Sequence, residues 1–470
     1  LKKRDVLVLC QYFYPDCISS ATLPTQLCAD LAGSGHRVDV LCGMPKEYTP
    51  SVRVPRREIY EGVHIRRMRY LQCSRKRAAG RVINYLSFFL AVLLHLPGFV
   101  YYRTIIVYTT PPVLPFAAAL GAFLLRKRLV VVCFDRYPQL AVRFSGLSSG
   151  SLFCRAWKRA NRFVYRKAAA AVALSDDMKA QLIHTDRAAP EKVRVIPNWY
   201  ERLPDRPRTD ESSAQKGCCA NGTFVVSYCG NMGVCQDMDI ILTAADRLRE
   251  EDIEFVLAGH GCKKDELERR AKQMGLSRVR FHGFLTGESY TDLLRDSDCL
   301  IVSIREGVED CSAPSKTASY LAAGRPVLDV MKLDCSLARE LAGAGLISAP
   351  GDTDGFQRNL LWLKNHPEAA RRMGEHAKRL FEQKYERSIC TDQYVQLLQE
   401  LEQPVRARKK SCPEGLKEPK RPANRSRQDW SEDAGRRDQV HAAEKPDCAA
   451  CAVQPEAWEL AKREEKTRPV

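Results

Sequence analysis

Long apolar runs are missing from this 470-residue chain. Its best spanning candidate, residues 82–102, is interrupted by Asn84, His95, Pro97 and Gly98. The longest stretch free of polar residues covers only 88–94, far short of the roughly 20 apolar residues that a transmembrane helix needs. Acid is scarce in the first half: residues 1–203 hold 13 Asp and Glu against 32 Lys and Arg, a net +19, whereas residues 204–402 carry −6 and 403–470 carry +4. Such a split implies an anionic partner for the first half: a membrane face, a phosphorylated lipid or nucleic acid. No nucleic-acid recognition motif accompanies the charge, so nucleic acid is not expected. Glycine is absent between the first apolar strand and Gly33, which excludes the Gly-x-Gly-x-x-Gly turn of a dinucleotide fold. Residues 448–451 form a lone Cys-x-x-Cys with neither a second pair nor a His pair, which argues against zinc. The basic opening residues lead into only five apolar ones, so no signal peptide is expected there.

What is present is ordinary globular material, 45% hydrophobic and 28% charged, in a chain long enough for two or three domains. The 19 Cys are spread through apolar strands and read as small core residues of a reducing, cytoplasmic compartment. Near-continuous apolar runs at 5–13, 37–43, 104–110, 128–134, 170–175 and 193–198 alternate with helical stretches, as do runs at 224–230, 253–259, 279–283, 299–304, 326–331 and 345–350. This βαβ rhythm predicts an α/β protein with two Rossmann-like, doubly wound parallel-sheet domains in tandem. The expected boundaries are a first domain over 1–203, a polar linker over 204–222 and a second domain over 223–385. A C-terminal helix over 386–402, free to cross back to the first domain, and a basic tail over 403–470 complete the organisation. With seven Pro and eight large apolar side chains in 68 positions, the tail is expected to be disordered. The 82–102 stretch, behind Arg66, Arg67, Arg69, Arg75, Lys76, Arg77 and Arg81, suits a packed helix or one lying on an anionic bilayer.

The sharpest motif is Ala313-Pro314-Ser315-Lys316 followed by Leu321-Ala322-Ala323-Gly324-Arg325-Pro326. The spacing predicts a helix that starts near Pro314 to Lys316 and stops at Gly324. Free amides of its first turn, the Ser315 hydroxyl and the Lys316 ammonium would then point at one spot suited to a diphosphate, although a capped helix with a solvated Lys fits the spacing equally. Asp135 ends the fourth strand expected in the first half and should sit at the ligand-binding edge of the sheet, orienting an acceptor or capping the next turn. Asp237-Met238-Asp239 and Asp296-Ser297-Asp298 resemble a metal clamp, but both fall at helix ends, where acids have structural roles.

Order and spacing of several motifs resemble the retaining GT-B glycosyltransferases of family 4, most closely the members that build colanic-acid, O-antigen and capsule polysaccharides. In the second half these are Gly230-Asn231-Met232-Gly233 ahead of Gln236, Gly259-His260-Gly261, Pro314-Ser315-Lys316 and Leu321 to Pro326. Gln11 to Pro15, Gly35 to Val38, Asp135 to Pro138 and Ile196 to Trp199 match in the first half. The resemblance implies that the second domain binds a nucleotide-sugar donor through Gly230, Asn231, Gly233, Gln236, Gly259, Gly261, Gly283, Pro314, Ser315, Lys316 and Ser319. It implies an acceptor on the first domain, polyprenyl-diphosphate-linked or a growing polysaccharide. It also implies a metal-independent reaction without cofactor, run from the cytoplasmic face of a membrane on which the protein is peripheral. The family commonly has an Arg and a Lys where this chain has Asn231 and Gln236, and a glutamate pair where it has Cys311 and Ser319. Lys316 would then supply the positive charge, with Glu306 and Glu309 reaching the donor sugar and Asp135 serving the reaction. The departures leave two alternatives: a GT-B protein that binds without transfer, and a sugar-nucleotide epimerase.

Overall fold

In the first half, Arg4–Leu9 (β1) is followed by Ser19–Gly33 (α1), Val38–Gly43 (β2), Arg57–Tyr60 (β3), Val63–Met68 (β4) and Ala78–Leu93 (α2). After them come Tyr102–Tyr108 (β5), Leu114–Leu124 (α3), Arg128–Val132 (β6), Gln139–Phe144 (α4), Leu152–Lys167 (α5), Ala170–Ala173 (β7), Asp176–His184 (α6) and Val193–Val195 (β8). A computed structural model describes residues 4–45, 53–73, 78–144, 146–204 and 222–403. Leu1–Glu402 forms one compact unit. Most of the expected linker and all but the first residue of the expected disordered tail lie outside the described residues.

The eight strands form one sheet in the order β3-β4-β2-β1-β5-β6-β7-β8, parallel except for the β3–β4 hairpin. Alternation along the strands splits the apolar residues between two faces. Leu7, Leu9, Leu41, Ile105 and Val107 pack under α2, α3 and α5. Val6, Val8, Val38 and Val40 pack on the other side with Leu27 and Leu31 of α1. Sequence reading found six of these strands and missed the hairpin, whose β3 is only four residues long and mostly charged or exposed. The 82–102 stretch divides into most of α2 and a 3-10 turn, Leu96–Tyr101, at the His95, Pro97 and Gly98 interruptions. Among the described residues no helix is long and apolar enough to cross a membrane.

The second half comprises Phe224–Asn231 (β9), Asp239–Arg247 (α7), Ile253–His260 (β10), Lys264–Gln273 (α8), Val279–His282 (β11), Gly287–Asp296 (α9) and Cys299–Ser303 (β12). Lys316–Ala322 (α10), Val327–Val330 (β13), Ser336–Glu340 (α11), Gly345–Ser348 (β14), Thr353–Asn365 (α12), Pro367–Leu380 (α13) and Arg387–Glu402 (α14) follow. Its parallel sheet runs β11-β10-β9-β12-β13-β14. All six strands fall where the apolar runs place them. The last helix, α14, returns to the first half: Cys390, Tyr394, Leu397, Leu398 and Leu401 enter the core beneath α1, and Arg387 pairs with Asp30 at 2.8 Å. The two sheets are the pair of Rossmann-like domains that the βαβ rhythm predicts, and together they form the GT-B architecture that the motif resemblance implies.

Candidate active site

Both sheets reverse strand order beside their first strand, β2 and β5 flanking β1, and β10 and β12 flanking β9. In open α/β sheets the carboxyl ends of strands at such a reversal are where ligands bind. The β9 end carries Gly230 and Asn231, and α10 stands against it. Tyr320 of α10 pins the two elements together: its hydroxyl accepts from Cys229 N at 2.7 Å and donates to Cys229 O at 3.1 Å. Gly230 adopts φ 151°, and a Cβ there would stand 3.0 Å from Cε and Nζ of Lys316. Glycine is what admits the lysine to this corner.

The Lys316 ammonium lies 3.7 Å from the centre of the Tyr228 ring, out of contact with solvent and without a hydrogen-bond partner. Burial lowers its pKa to about 7, opposed only by the neighbouring Cys229 thiol. A cation-π contact offsets part of the desolvation, but an ammonium has three donors and here none is used. The corner is therefore short of an anion.

The helix starts within the span that the motif predicts. It begins at Lys316, and Ser315 at its N-cap adopts helical angles and makes no side-chain cap. The Ser315 hydroxyl instead meets that of Ser19, the first residue of α1, at 2.9 Å, tying the two halves together. Pro314 lines a cavity of about 30 Å³ with Ser175, Asn198 and Glu309. One Glu309 carboxylate oxygen is buried there without a partner, whereas Glu306 is exposed. Ser319 is buried, its hydroxyl donating to Lys316 O at 2.8 Å and meeting Tyr290 at 2.7 Å, so its hydrogen bonds are spent inside the fold. Asn231 is exposed at the end of β9, and the Gln236 side chain accepts from Gly233 N at 3.0 Å, closing the loop between them. Gly259 and Gly261 are set by backbone crowding: a Cβ on either would collide with the main chain of Gly230 or Met232. Gly283 is exposed, and its carbonyl accepts from Gly259 N at 3.0 Å.

Asp135 follows β6 and is half-buried. Burial raises its pKa, and a hydrogen bond with the Ser312 side chain works against that rise. It forms an isolated β-bridge to Ser312 of the second half, so the loop after β6 and the loop after β12 meet at this point. The next residues carry functional contacts that sequence reading missed. Arg136 N donates to Cys311 O at 2.8 Å, and its buried guanidinium binds Asp186 at 3.0 Å and the Asp310 carbonyl at 3.1 Å. Arg143 of α4 grips the Asp310 carboxylate and the Gly307 carbonyl. Burial raises the pKa of Asp310, but the hydrogen bond and charge of Arg143 outweigh it and hold the carboxyl below its ordinary value. Asp177 accepts from Ser336 N at 2.7 Å and closes a second crossing. The only signal for this seam in the sequence is the Asp135-Arg136-Tyr137-Pro138 motif.

The two aspartate pairs that resemble a metal clamp are occupied by protein. Asp237 accepts from Gly351 N at 2.8 Å, Asp239 pairs with Arg270 and Lys263, and Asp298 accepts from Val225 N at 2.9 Å. Among the described residues no cluster of three His, Cys, Asp or Glu could hold a metal.

Comparison with solved structures gives the GT-B fold. The Anabaena protein HepE, solved with UDP-glucose, superposes with a TM-score of 0.63 at 16% identity, over 84% of this chain and 99% of that one. Residues 21–199 match the glycosyl transferase 4-like domain and residues 223–366 the glycosyl transferases group 1 domain, so the chain belongs to glycosyltransferase family 4. Among curated relatives, WcaI of Escherichia coli K12, assigned as a colanic acid biosynthesis glycosyl transferase, is 32% identical over 29% of this chain and 34% of its own length. WbjE of Pseudomonas aeruginosa, assigned as a glycosyltransferase, is 26% identical over 53% of this chain and 63% of its own. The chain thus spans between a third and just under two thirds of the length of these relatives.

Proposed function

We propose that this protein transfers a sugar from a nucleotide-sugar donor to a lipid-linked or growing glycan acceptor in surface-polysaccharide biosynthesis, with retention and without a metal or cofactor. The observation that carries the reading is the buried, unpartnered Lys316 ammonium beside Gly230, at the strand-order reversal of the second sheet. UDP-glucose in HepE and colanic acid biosynthesis in WcaI support the donor class and the acceptor class. Departure of a nucleoside diphosphate from the anomeric carbon builds charge on phosphate, and a fixed cation in a dry corner stabilises that charge far better than water does. The leaving phosphate takes the proton of the incoming acceptor hydroxyl, so no separate base is required. Asp135, where the loops after β6 and β12 meet, orients the acceptor. Glu309 contributes the polar wall nearest Pro314, and exposed Glu306 stands at the rim of the same loop. The protein sits peripherally on the cytoplasmic face of a membrane, held by its basic half, and nucleic acid is not a partner.

Incubating purified protein with nucleotide sugars and a polyprenyl-diphosphate glycan acceptor tests this. The expected result is acceptor-dependent release of a nucleoside diphosphate with the anomeric configuration kept. A second reading, binding without transfer, is favoured by Asn231, Gln236 and Ser319, none of which brings a charge to the donor. Donor binding with neither transfer nor hydrolysis would establish it, and conversion of donor alone would establish an epimerase.

A further inference from the structure

The hairpin missed by sequence reading sets Arg57 of β3 directly opposite Arg66 of β4, both exposed on the α2 side of the sheet. Like charges facing each other across an antiparallel ladder are destabilising. Arg56 and Arg69 join them in a groove of about 250 Å³ that Leu94 and His95, just past α2, close on the other side. Among the described residues none of these four guanidinium groups makes an ion pair or side-chain hydrogen bond. Arg67, whose side chain points through the sheet, shows the contrast: it is buried and binds Pro55 O at 2.9 Å, Tyr14 O at 2.7 Å and Glu58. The groove continues into a larger hollow of about 570 Å³, whose two acids are already engaged: Asp39 accepts from the Tyr102 hydroxyl at 2.7 Å and Glu58 pairs with Arg67.

Beside the groove runs an apolar ridge. Val82, Ile83, Leu86, Leu90 and Leu94 are all exposed, Leu94 at 82%. Spacing places the first four on one stripe of α2, and Leu94 follows directly after its end. Phe116, Phe123 and Leu124 of α3, and Leu152 and Phe153 of α5, are exposed on the helices that cover the same side of the sheet. Of the seventeen large apolar side chains exposed among the described residues, fourteen belong to the first half. The far edge is basic again, for α5 carries six Lys and Arg and no acid. A soluble anion would use the groove and leave the ridge wet; a bilayer bearing anionic headgroups uses both. The groove lies four strands from β6, roughly 19 Å at about 4.8 Å per strand, so it is not the place where Asp135 meets the acceptor.

We propose that the Arg56, Arg57, Arg66 and Arg69 groove seats the phosphate of an anionic membrane phospholipid, with the α2 ridge lying in the adjoining acyl boundary. The inference rests on peripheral membrane attachment and adds the face and the headgroup site.

Co-sedimentation of the full chain with vesicles of phosphatidylglycerol and phosphatidylcholine, against pure phosphatidylcholine, tests it. The wild type is expected to bind only the anionic vesicles, and Arg57→Ser with Arg66→Ser to lower the partition coefficient roughly 30-fold. Removing two mutually repelling, exposed cations leaves the unfolding temperature unchanged or raised, which separates lost binding from lost fold. A control removing two exposed cations of the second half, Arg269→Ser with Arg372→Ser, keeps binding. Equal binding by the groove variant, equal loss in the control, or displacement from vesicles by millimolar inorganic phosphate at constant ionic strength overturns the headgroup site and leaves membrane attachment standing. A wild type that ignores anionic vesicles at low salt overturns both, without touching the transfer reading.

Discussion

A lysine held under the protein surface without a partner lowers stability until an anion reaches it. For Lys316 the pH window follows from the direction of its shift. Between about 7, its folded value, and its ordinary 10.5, the unfolded chain binds the extra proton, so stability rises with pH across that interval. Lys316→Met should therefore unfold at a higher temperature than wild type near neutrality, the gap narrowing toward pH 10, as thermal melts at several pH values would show. Donor binding runs the opposite way: above about pH 7 the diphosphate must first return a proton to the lysine, so affinity falls as pH rises and binding takes up protons. Titration calorimetry in buffers of differing ionisation enthalpy measures that uptake directly. Lys316→Ala should cost about 2 to 4 kcal/mol of transition-state stabilisation in kcat/KM, and a loss under about threefold would reject the assignment. Asp135→Asn should lower transfer while leaving donor affinity in place; unchanged transfer kinetics would remove Asp135 from the site.

At the scale of elements, the ends of β9 and β10 show why two glycines of the motifs belong to the backbone. Gly259 has φ 139°, and any Cβ there would enter the main chain of Gly230. Gly259→Ala should destabilise the fold by about 1 to 3 kcal/mol, seen as a lower denaturant midpoint, and a midpoint equal to wild type would contradict this reading. The element order was largely legible because strands buried on both faces read as unbroken apolar runs, all six in the second half among them. The β3–β4 hairpin was not legible, for its exposed face mixes Arg57, Ile59, His64 and Arg66 and its partner face alternates too briefly to register. The Pro-Ser-Lys start of α10 was placed correctly in sequence to within a residue. That Ser315 would turn to Ser19 and Ser319 to Tyr290 depends on residues 296 and 29 positions away, which local spacing does not encode.

At the scale of the molecule, the two halves are joined by a seam that local patterns also hide. Arg136 and the Asp310 carbonyl lie 174 positions apart, yet with Arg143 they fasten the loop after β12 onto the first half. Asp310→Ala should loosen that fastening, raising the donor KM more than it lowers kcat and making the loop more sensitive to protease; an unchanged KM and digestion pattern would show that the seam does not set the donor site. The account as a whole turns on one cation meeting one diphosphate. Its most direct test is a thermal-shift screen of nucleotide sugars on wild type and Lys316→Ala in parallel. The account predicts at least one donor that raises the melting temperature of the wild type and leaves the variant unmoved. No stabilising donor, or an equal rise in both proteins, would contradict it.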